Sequence, residues 1–389
     1  MWGSASDMWT TDEVHKFVGT GEGELGLSLL RTIIDPDSNR WSYAVANLTE
    51  AKSYGEHVRI VASPWSPPAN MKSNNSTKDG GSLLAQYYDN YAVHLNSYVQ
   101  YMAAQGVTID VVSIQNEPDW SPDYDGCEWT GEQFRVFLSE NAAAINGPKL
   151  MIAESLQFTR GFTDPSLNDS IVVNNFDIVG GHLYGAETAG KFVAYPLAEQ
   201  KGKRIWMTEW LIHDADGSGS NIWGDGSNQA VWDETLDEVI RYVDRSMQIN
   251  WSAFIWWWGR RFYSFVGDGE AAFGTIKGQV LKRGYAFSQY AKFVRPGYTR
   301  VRTATDSAVS GLSATAYQGE DKIVVVMLNR SIAEHDDVVI AIPNDVTFAQ
   351  AYVTSRTADQ QAVTVTLTGH YATLDNIPAR SVATVVMSY

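Results

Sequence analysis

The chain carries one cysteine, Cys127, in 389 residues. This excludes an intramolecular disulfide framework and any metal site built from several thiolates. Its seven histidines form no HxH or HExxH pair, and Asp214-Ala-Asp216-Gly217 lacks the further ligands of a calcium loop. No catalytic metal and no cofactor are therefore expected. Positive charge is also scarce: 29 Lys and Arg against 45 Asp and Glu leave a net charge of −16, which repels phosphate backbones and anionic lipid surfaces alike. Nucleic-acid and membrane roles fall away. No apolar run approaches the ~18 residues of a membrane span; the strongest, Ala253 to Trp258, has the length of a strand. Neither GxGxxG nor GxxxxGK[ST] occurs, so nothing invokes a nucleotide fold. No secretory leader precedes the first motif, as in a cytoplasmic protein or a mature chain whose leader has been removed.

What the chain has in quantity is aromatic surface, with 14 Trp and 19 Tyr, and aromatic faces stack on the apolar faces of sugar rings. A hydrophobic content of 44% with 19% charged residues is that of a packed globular protein. Up to about residue 297, β-branched runs alternate with helical patterns. Strands are expected at 26–34, 57–63, 110–116, 149–154, 176–183, 204–209 and 253–258, with helices at 87–105, 131–145, 228–249 and 284–293 among others. An eighth strand would have to be the first, formed by Trp2 to Ser6. The count favours an α/β fold, a (β/α)8 TIM barrel over residues 1–297. After Arg295-Pro296-Gly297 short alternating runs (313–318, 322–328, 338–342, 349–354, 363–367 and 381–388) predict a side β-sandwich domain over 298–389.

A (β/α)8 barrel collects its chemistry at the carboxyl ends of its strands. Those positions hold Arg31, Trp65, Asn116, Glu117, Glu154, His182, Glu209, Trp257, Arg260 and Arg261. Glu117 and Glu209 end the fourth and seventh strands of an eight-strand count, on opposite sides of the mouth. Glycoside cleavage needs such a facing pair, one carboxyl to protonate the leaving oxygen and one to attack or to activate water. A single strand-end glutamate ordinarily pairs with an arginine or caps a helix; two of them, sharing a mouth with many aromatics, weaken that alternative. Asn116 suits a sugar hydroxyl, or simply a turn. Arg31 reads as a partner that keeps a carboxylate ionised. His182 and Tyr184 are either core hydrogen-bonders or groups that orient Glu209. Trp65, Trp120, Tyr124, Trp129 and Trp257 are cleft candidates or core, and Trp256 or Trp258 fills the core, since neighbours on a strand face opposite ways.

Five motifs, Ser63-Pro64-Trp65-Ser66-Pro67-Pro68-Ala69-Asn70-Met71-Lys72, Gln115-Asn116-Glu117-Pro118-Asp119-Trp120, Gly181-His182-Leu183-Tyr184-Gly185, Trp206-Met207-Thr208-Glu209 and Lys282-Arg283-Gly284-Tyr285, resemble those of the glycoside hydrolase family 30 xylanases. The likeness runs from about residue 20 to the C-terminus. It implies a barrel with a side β-sandwich and cleavage of β-1,4-xylan with retention, with Glu117 as acid/base and Glu209 as nucleophile. It also implies subsites lined by Trp65, Trp120, Tyr124, Tyr184 and Trp257. Members specific for glucuronoxylan grip a methylglucuronic acid branch through an Arg-Arg-x-Tyr segment, matched by Arg261 and Tyr263.

The chain departs from that subgroup at Leu211 and Asp214, where a Tyr and a Ser supply further contacts, and in the longer stretch after Tyr263, which adds two acids. Leu211 donates no hydrogen bond and Asp214 repels a carboxylate or occupies the Arg261 fork. Branches are thus expected to help little. A second departure is the missing initial strand that joins the side domain in similar chains. The leading expectation is a secreted, monomeric, cofactor-free retaining endo-xylanase acting on xylan. The competing readings are a branch-requiring glucuronoxylanase and a non-catalytic polysaccharide-binding protein.

Overall fold

In a computed structural model of the chain, the described residues are 8–212, 229–306, 309 and 311–389. Seven strands pair in parallel in sequence order: β1 (Leu29–Ile33), β2 (Arg59–Ser63), β3 (Val111–Ser113), β4 (Lys149–Ser155), β5 (Ile178–His182), β6 (Arg204–Glu209) and β7 (Ala253–Phe254). Helices Val45–Lys52, Tyr88–Ala104, Gly131–Asn141, Asp164–Asn168 and Pro196–Gln200 fall between them. This is the TIM-type sheet expected from the alternation. The segment proposed for an eighth strand, Trp2 to Ser6, lies outside the described residues.

Beyond their first residues the parallel strands are buried on both faces, as their largely apolar composition allows. Val61, Val111, Met151, Ile178, Trp206, Ala253 and Ile255 form a cluster with Leu29 against it. The helix Tyr88–Ala104 buries Tyr88, Tyr91, Ala92, Leu95, Tyr98, Val99 and Met102, one stripe at i, i+3, i+4 and i+7. Gly131–Asn141 starts where Thr130 accepts the Gln133 N–H at 3.2 Å and Gln133 accepts the Thr130 N–H at 2.7 Å, a capping box that satisfies two otherwise orphaned donors.

Two expected strands are shorter than their apolar runs. In 110–116 only Val111–Ser113 pairs regularly, and in 253–258 only Ala253–Phe254. Apolar content reports burial; the ladder ends where the backbone turns to other acceptors, as when the Asn116 N–H bonds Pro64 O at 2.9 Å and the Glu117 N–H bonds Glu154 O at 3.0 Å.

Packing divides the chain into two compact units: the described residues of 1–11, 29–210 and 249–257, and those of 12–28, 211–248 and 258–389. The second holds nine antiparallel strands: β8 (Thr299–Val301), β9 (Leu312–Gln318), β10 (Lys322–Asn329), β11 (His335–Ala341), β12 (Phe348–Ser355), β13 (Ala358–Val363), β14 (Val365–Thr368), β15 (Tyr371–Ile377) and β16 (Ser381–Ser388). They form a six-stranded sheet in the order β13-β12-β16-β10-β9-β8 and a three-stranded sheet β11-β15-β14. Val325, Met327, Val353, Leu374 and Val385 share the core, the sandwich arrangement of alternating inward residues.

β8, β13 and β15 have no counterpart among the expected runs, and 363–367 corresponds to β14. The helix expected at 228–249 is described from Gln229 to Gln248 and contains a π turn at Thr235–Ile240. The helix Lys282–Ala291 belongs to this unit: Gln289 Nε2 donates to Thr354 Oγ1 at 2.7 Å and Thr384 Oγ1 donates to the Gln289 carbonyl at 2.7 Å.

Candidate active site

Glu209 is the last residue of β6, and Glu117 follows β3 in a left-handed conformation, φ 45°. A non-glycine residue held there is strained by roughly 1–3 kcal/mol and marks a position fixed by its surroundings. One oxygen of Glu117, one of Glu209 and a ring nitrogen of His182 all lie within 4.8 Å of one another. Both carboxylates are 7% exposed, enough to meet a substrate yet largely withdrawn from water.

Arg31, buried on β1, is the hub. Its Nη1 donates to Glu209 Oε2 at 2.6 Å, its Nη2 to Asn116 Oδ1 at 2.6 Å, and its Nε to Ser63 Oγ at 3.1 Å. Tyr184 donates its hydroxyl to the other Glu209 oxygen at 3.1 Å, and His182 Nδ1 lies 2.9 Å from Glu117 Oε1. A third acid, Glu154 at the end of β4, has Oε1 at 3.0 Å from Arg31 Nη2 and 3.9 Å from His182 Nε2.

Burial alone lowers the His182 pKa, but the carboxylates of Glu209, Glu117 and Glu154 outweigh it and raise it to about 9, which favours the imidazolium form with Nδ1 directed at Glu117. Burial would raise Glu154, yet Arg31 and then His182 bring it down to about 2. For Glu209, burial raises the pKa against the pull of His182 and Arg31, and the facing Glu117 adds to the rise. The carboxylate oxygens already accept from the Arg31 guanidinium and face the His182 ring, a charge arrangement that suits two reacting carboxylates better than a bound cation.

The aromatic candidates separate by exposure. Trp120 is 46% exposed and Tyr124 42%, and burial with the charges of Glu117 and Glu209 raises the Tyr124 phenol to about 12. Trp65 is buried: Arg31 lies 4.6 Å from its ring centroid, and the half-buried Trp257 stacks obliquely at 5.8 Å. It therefore packs against Arg31 with little surface exposed, while Trp257 keeps part of its ring open. Trp129 is core, stacked on Phe134 at 4.9 Å, and Trp256 is buried. Trp120→Ala is expected to raise KM roughly tenfold with little change in kcat, because an outer ring contacts ground and transition states alike. An equal loss in kcat, measured by steady-state kinetics on xylan, would count against a subsite role.

Trp120 and Tyr124 ride on a loop that bonds to a second one. Isolated bridges join Lys72 to Leu83, Lys78 to Asp125 and Ser82 to Glu128, and the buried Lys72 ammonium donates to the carbonyls of Gly126 and Thr77.

Arg261 and Tyr263 belong to the second unit. Asp268, one of the two acids added after Tyr263, has Oδ2 at 3.7 Å from Arg261 Nη1. Tyr263 is 7% exposed, and Leu211 is buried as well. The expected partner Asp214 lies outside the described residues. Sequence reasoning gave Asp268 no role, nor Ser63, nor a specific one to Glu154. Only the count of acids after Tyr263 pointed toward the first.

A TIM-type parallel sheet with two glutamates facing each other at its strand ends suits glycoside cleavage. Residues 35–150 match the glycosyl hydrolase family 30 TIM-barrel domain. The chain is 34% identical over 380 residues to the glucuronoxylanase XynC of Bacillus subtilis (strain 168), covering 95% of this chain and 83% of that protein. Its fold superposes on the family 30 subfamily 8 xylanase Xyn30A of Clostridium acetobutylicum with a TM-score of 0.83 at 30% identity, covering 98% and 93% of the two chains. A family 30 endoxylanase of Clostridium papyrosolvens C71 gives 0.79 at 31% identity, with the same coverage. The chain belongs to glycoside hydrolase family 30.

Proposed function

We propose that the chain is a retaining endo-β-1,4-xylanase, with Glu209 as nucleophile and Glu117 as acid/base. The observation that carries this is the close approach of the two carboxylates, within 4.8 Å at their nearest described atoms. Retention needs a gap of about 5–5.5 Å, so that the nucleophile reaches the anomeric carbon; inversion needs about 6.5–9.5 Å for an intervening water. The relatives named as xylanases supply the substrate.

Arg31 and Tyr184 hold the two Glu209 oxygens, aiming one lone pair at the sugar. Glu117 protonates the glycosidic oxygen as the bond to the anomeric carbon breaks, and Glu209 forms the glycosyl-enzyme. Glu117, now ionised and held by the His182 imidazolium, takes a proton from water as that water attacks the anomeric carbon and frees Glu209. Asn116 gives its carbonyl to Arg31 and keeps its NH2 for a hydroxyl of the reacting sugar. The same reading makes the enzyme secreted and monomeric, with 1–297 the catalytic barrel and 298–389 the side domain.

Chromatography of products from glucuronoxylan, arabinoxylan and linear xylooligosaccharides, with nuclear magnetic resonance of the first anomer formed, tests the proposal. Release of β-configured oligosaccharides is expected; tight binding without turnover would favour the non-catalytic reading. Branches are expected to matter little, because Asp268, with Oδ2 at 3.7 Å from Arg261 Nη1, sets a competing negative charge beside the guanidinium that would take a glucuronate. Arg261→Ala is thus expected to change the ratio of activities on branched and linear xylan by less than about fivefold. A selective collapse on glucuronoxylan would restore the branch-requiring alternative.

A further inference from the structure

We propose that Glu154 is a positioning residue of the reaction: one buried carboxylate behind the site that anchors Arg31 and His182 and, through them, both reacting glutamates. The inference rests on the assignment of Glu117 and Glu209 above. Arg31 spans from Glu154 Oε1, at 3.0 Å, to Glu209 Oε2, at 2.6 Å. His182 spans from the same Glu154 oxygen, at 3.9 Å, to Glu117 Oε1, at 2.9 Å. Each cation therefore bridges the one hidden acid to one reacting acid. The backbone joins in, since the Glu154 carbonyl accepts the N–H of the strained Glu117 at 3.0 Å.

The chain is distorted to place this side chain. Ala153 and Glu154 have φ of 83° and 36°, and the β4–β5 register shifts between Ile152 and Ser155. Two successive left-handed non-glycine residues are costly and persist only where the surroundings impose them. The neighbouring strand makes room: a Cβ at Gly180 would stand 3.1 Å from Glu154 Cγ and 2.9 Å from Met151 Sδ. Glu154 is wholly buried and has no route to substrate, so its influence passes through its partners.

The charges explain why an acid is needed. Arg31 and His182 would place two positive charges beside Glu117 and Glu209, and during the cycle one of those glutamates is neutral at each stage. Glu154 supplies the permanent countercharge. The groups facing it and His182 are Arg31 on β1, Ser113 on β3, Glu117 and Asp119 beyond it, Tyr184 beyond β5 and Glu209 on β6. Without its negative charge His182 holds its proton less firmly, because an opposite charge within ~4–6 Å favours the ionised form. Glu117 then loses a charged donor as pH rises.

Glu154→Gln keeps the shape and removes the charge. Its kcat on xylan is expected to fall about 10–100-fold with KM little changed, and the alkaline limb of its kcat/KM profile to move about one pH unit or more toward acid. Loss of activity with an unmoved profile would assign Glu154 to packing alone and overturn the proposal. Should Glu154→Gln not fold, the His182 ring nitrogens of the nitrogen-15-labelled parent protein decide: an imidazolium at about pH 7 is expected, and a neutral ring overturns the proposal. Absence of xylan cleavage by the parent protein would refute the activity itself while leaving that ring measurement intact.

Discussion

Glu209→Ala loses xylan turnover by on the order of 10⁴-fold or more, on poor and activated substrates alike. The substitution removes the atom that bonds to the anomeric carbon, and no neighbour replaces it: Arg31 and Tyr184, its two hydrogen-bond partners, are donors to an anion and not nucleophiles. A small anion such as azide can enter the vacated space and attack an aryl xyloside from the side Glu209 occupied, giving an α-configured glycosyl azide. Appearance of the β-azide in that variant would contradict the assignment. The loss traces to chemistry rather than to unfolding if urea unfolding still gives a single transition with an unchanged m value.

Glu117→Ala separates the two half-reactions. On xylan, whose leaving sugar must be protonated, the first step collapses. On a dinitrophenyl xylobioside it proceeds without an acid, so a burst of about one equivalent of phenol precedes a slow steady state limited by attack of unassisted water. Azide accelerates that second step and yields a β-configured product, the mirror of the outcome for Glu209→Ala. Equal loss on both substrates, with no burst, would deny Glu117 the acid/base role. The two variants together test the direction of the mechanism, because each predicts the anomer the other forbids.

Both carboxylates were legible in the sequence for a simple reason. A β-branched run followed by Asn116-Glu117-Pro118, or closed by Thr208-Glu209, places a side chain at the strand end whatever the rest of the barrel does. The seven parallel strands were legible on the same ground, since burial on two faces leaves a continuous apolar run. β15 was not: its inward side includes only Ala372, Leu374 and Ile377, and its outward side is polar. β8 offers three residues, too few for a period. Glu154 stood at a strand end in the sequence like Glu117, yet nothing local distinguishes an acid that meets substrate from one that lies behind two cations. That difference arises from left-handed turns at Ala153 and Glu154 and from distant Arg31, and neither leaves a pattern in sequence. The Arg261–Asp268 pair escaped because it depends on how the stretch after Tyr263 folds back.

The paired loops that carry Trp120 and Tyr124 constrain how substrate-length preference can diverge. Their bridges and the single ammonium of Lys72, shared between carbonyls of the two segments, make them one cassette in two pieces of chain. Exchanging residues 118–129 alone for a loop of another length would take the Gly126 carbonyl from the buried Lys72 ammonium and leave it Thr77 alone, a loss of about 1.5–3 kcal/mol for one bond to a charged group. Grafts that lengthen or shorten the binding surface must therefore carry residues 72–83 with them, and drift in one segment is tolerated only alongside compensating drift in the other.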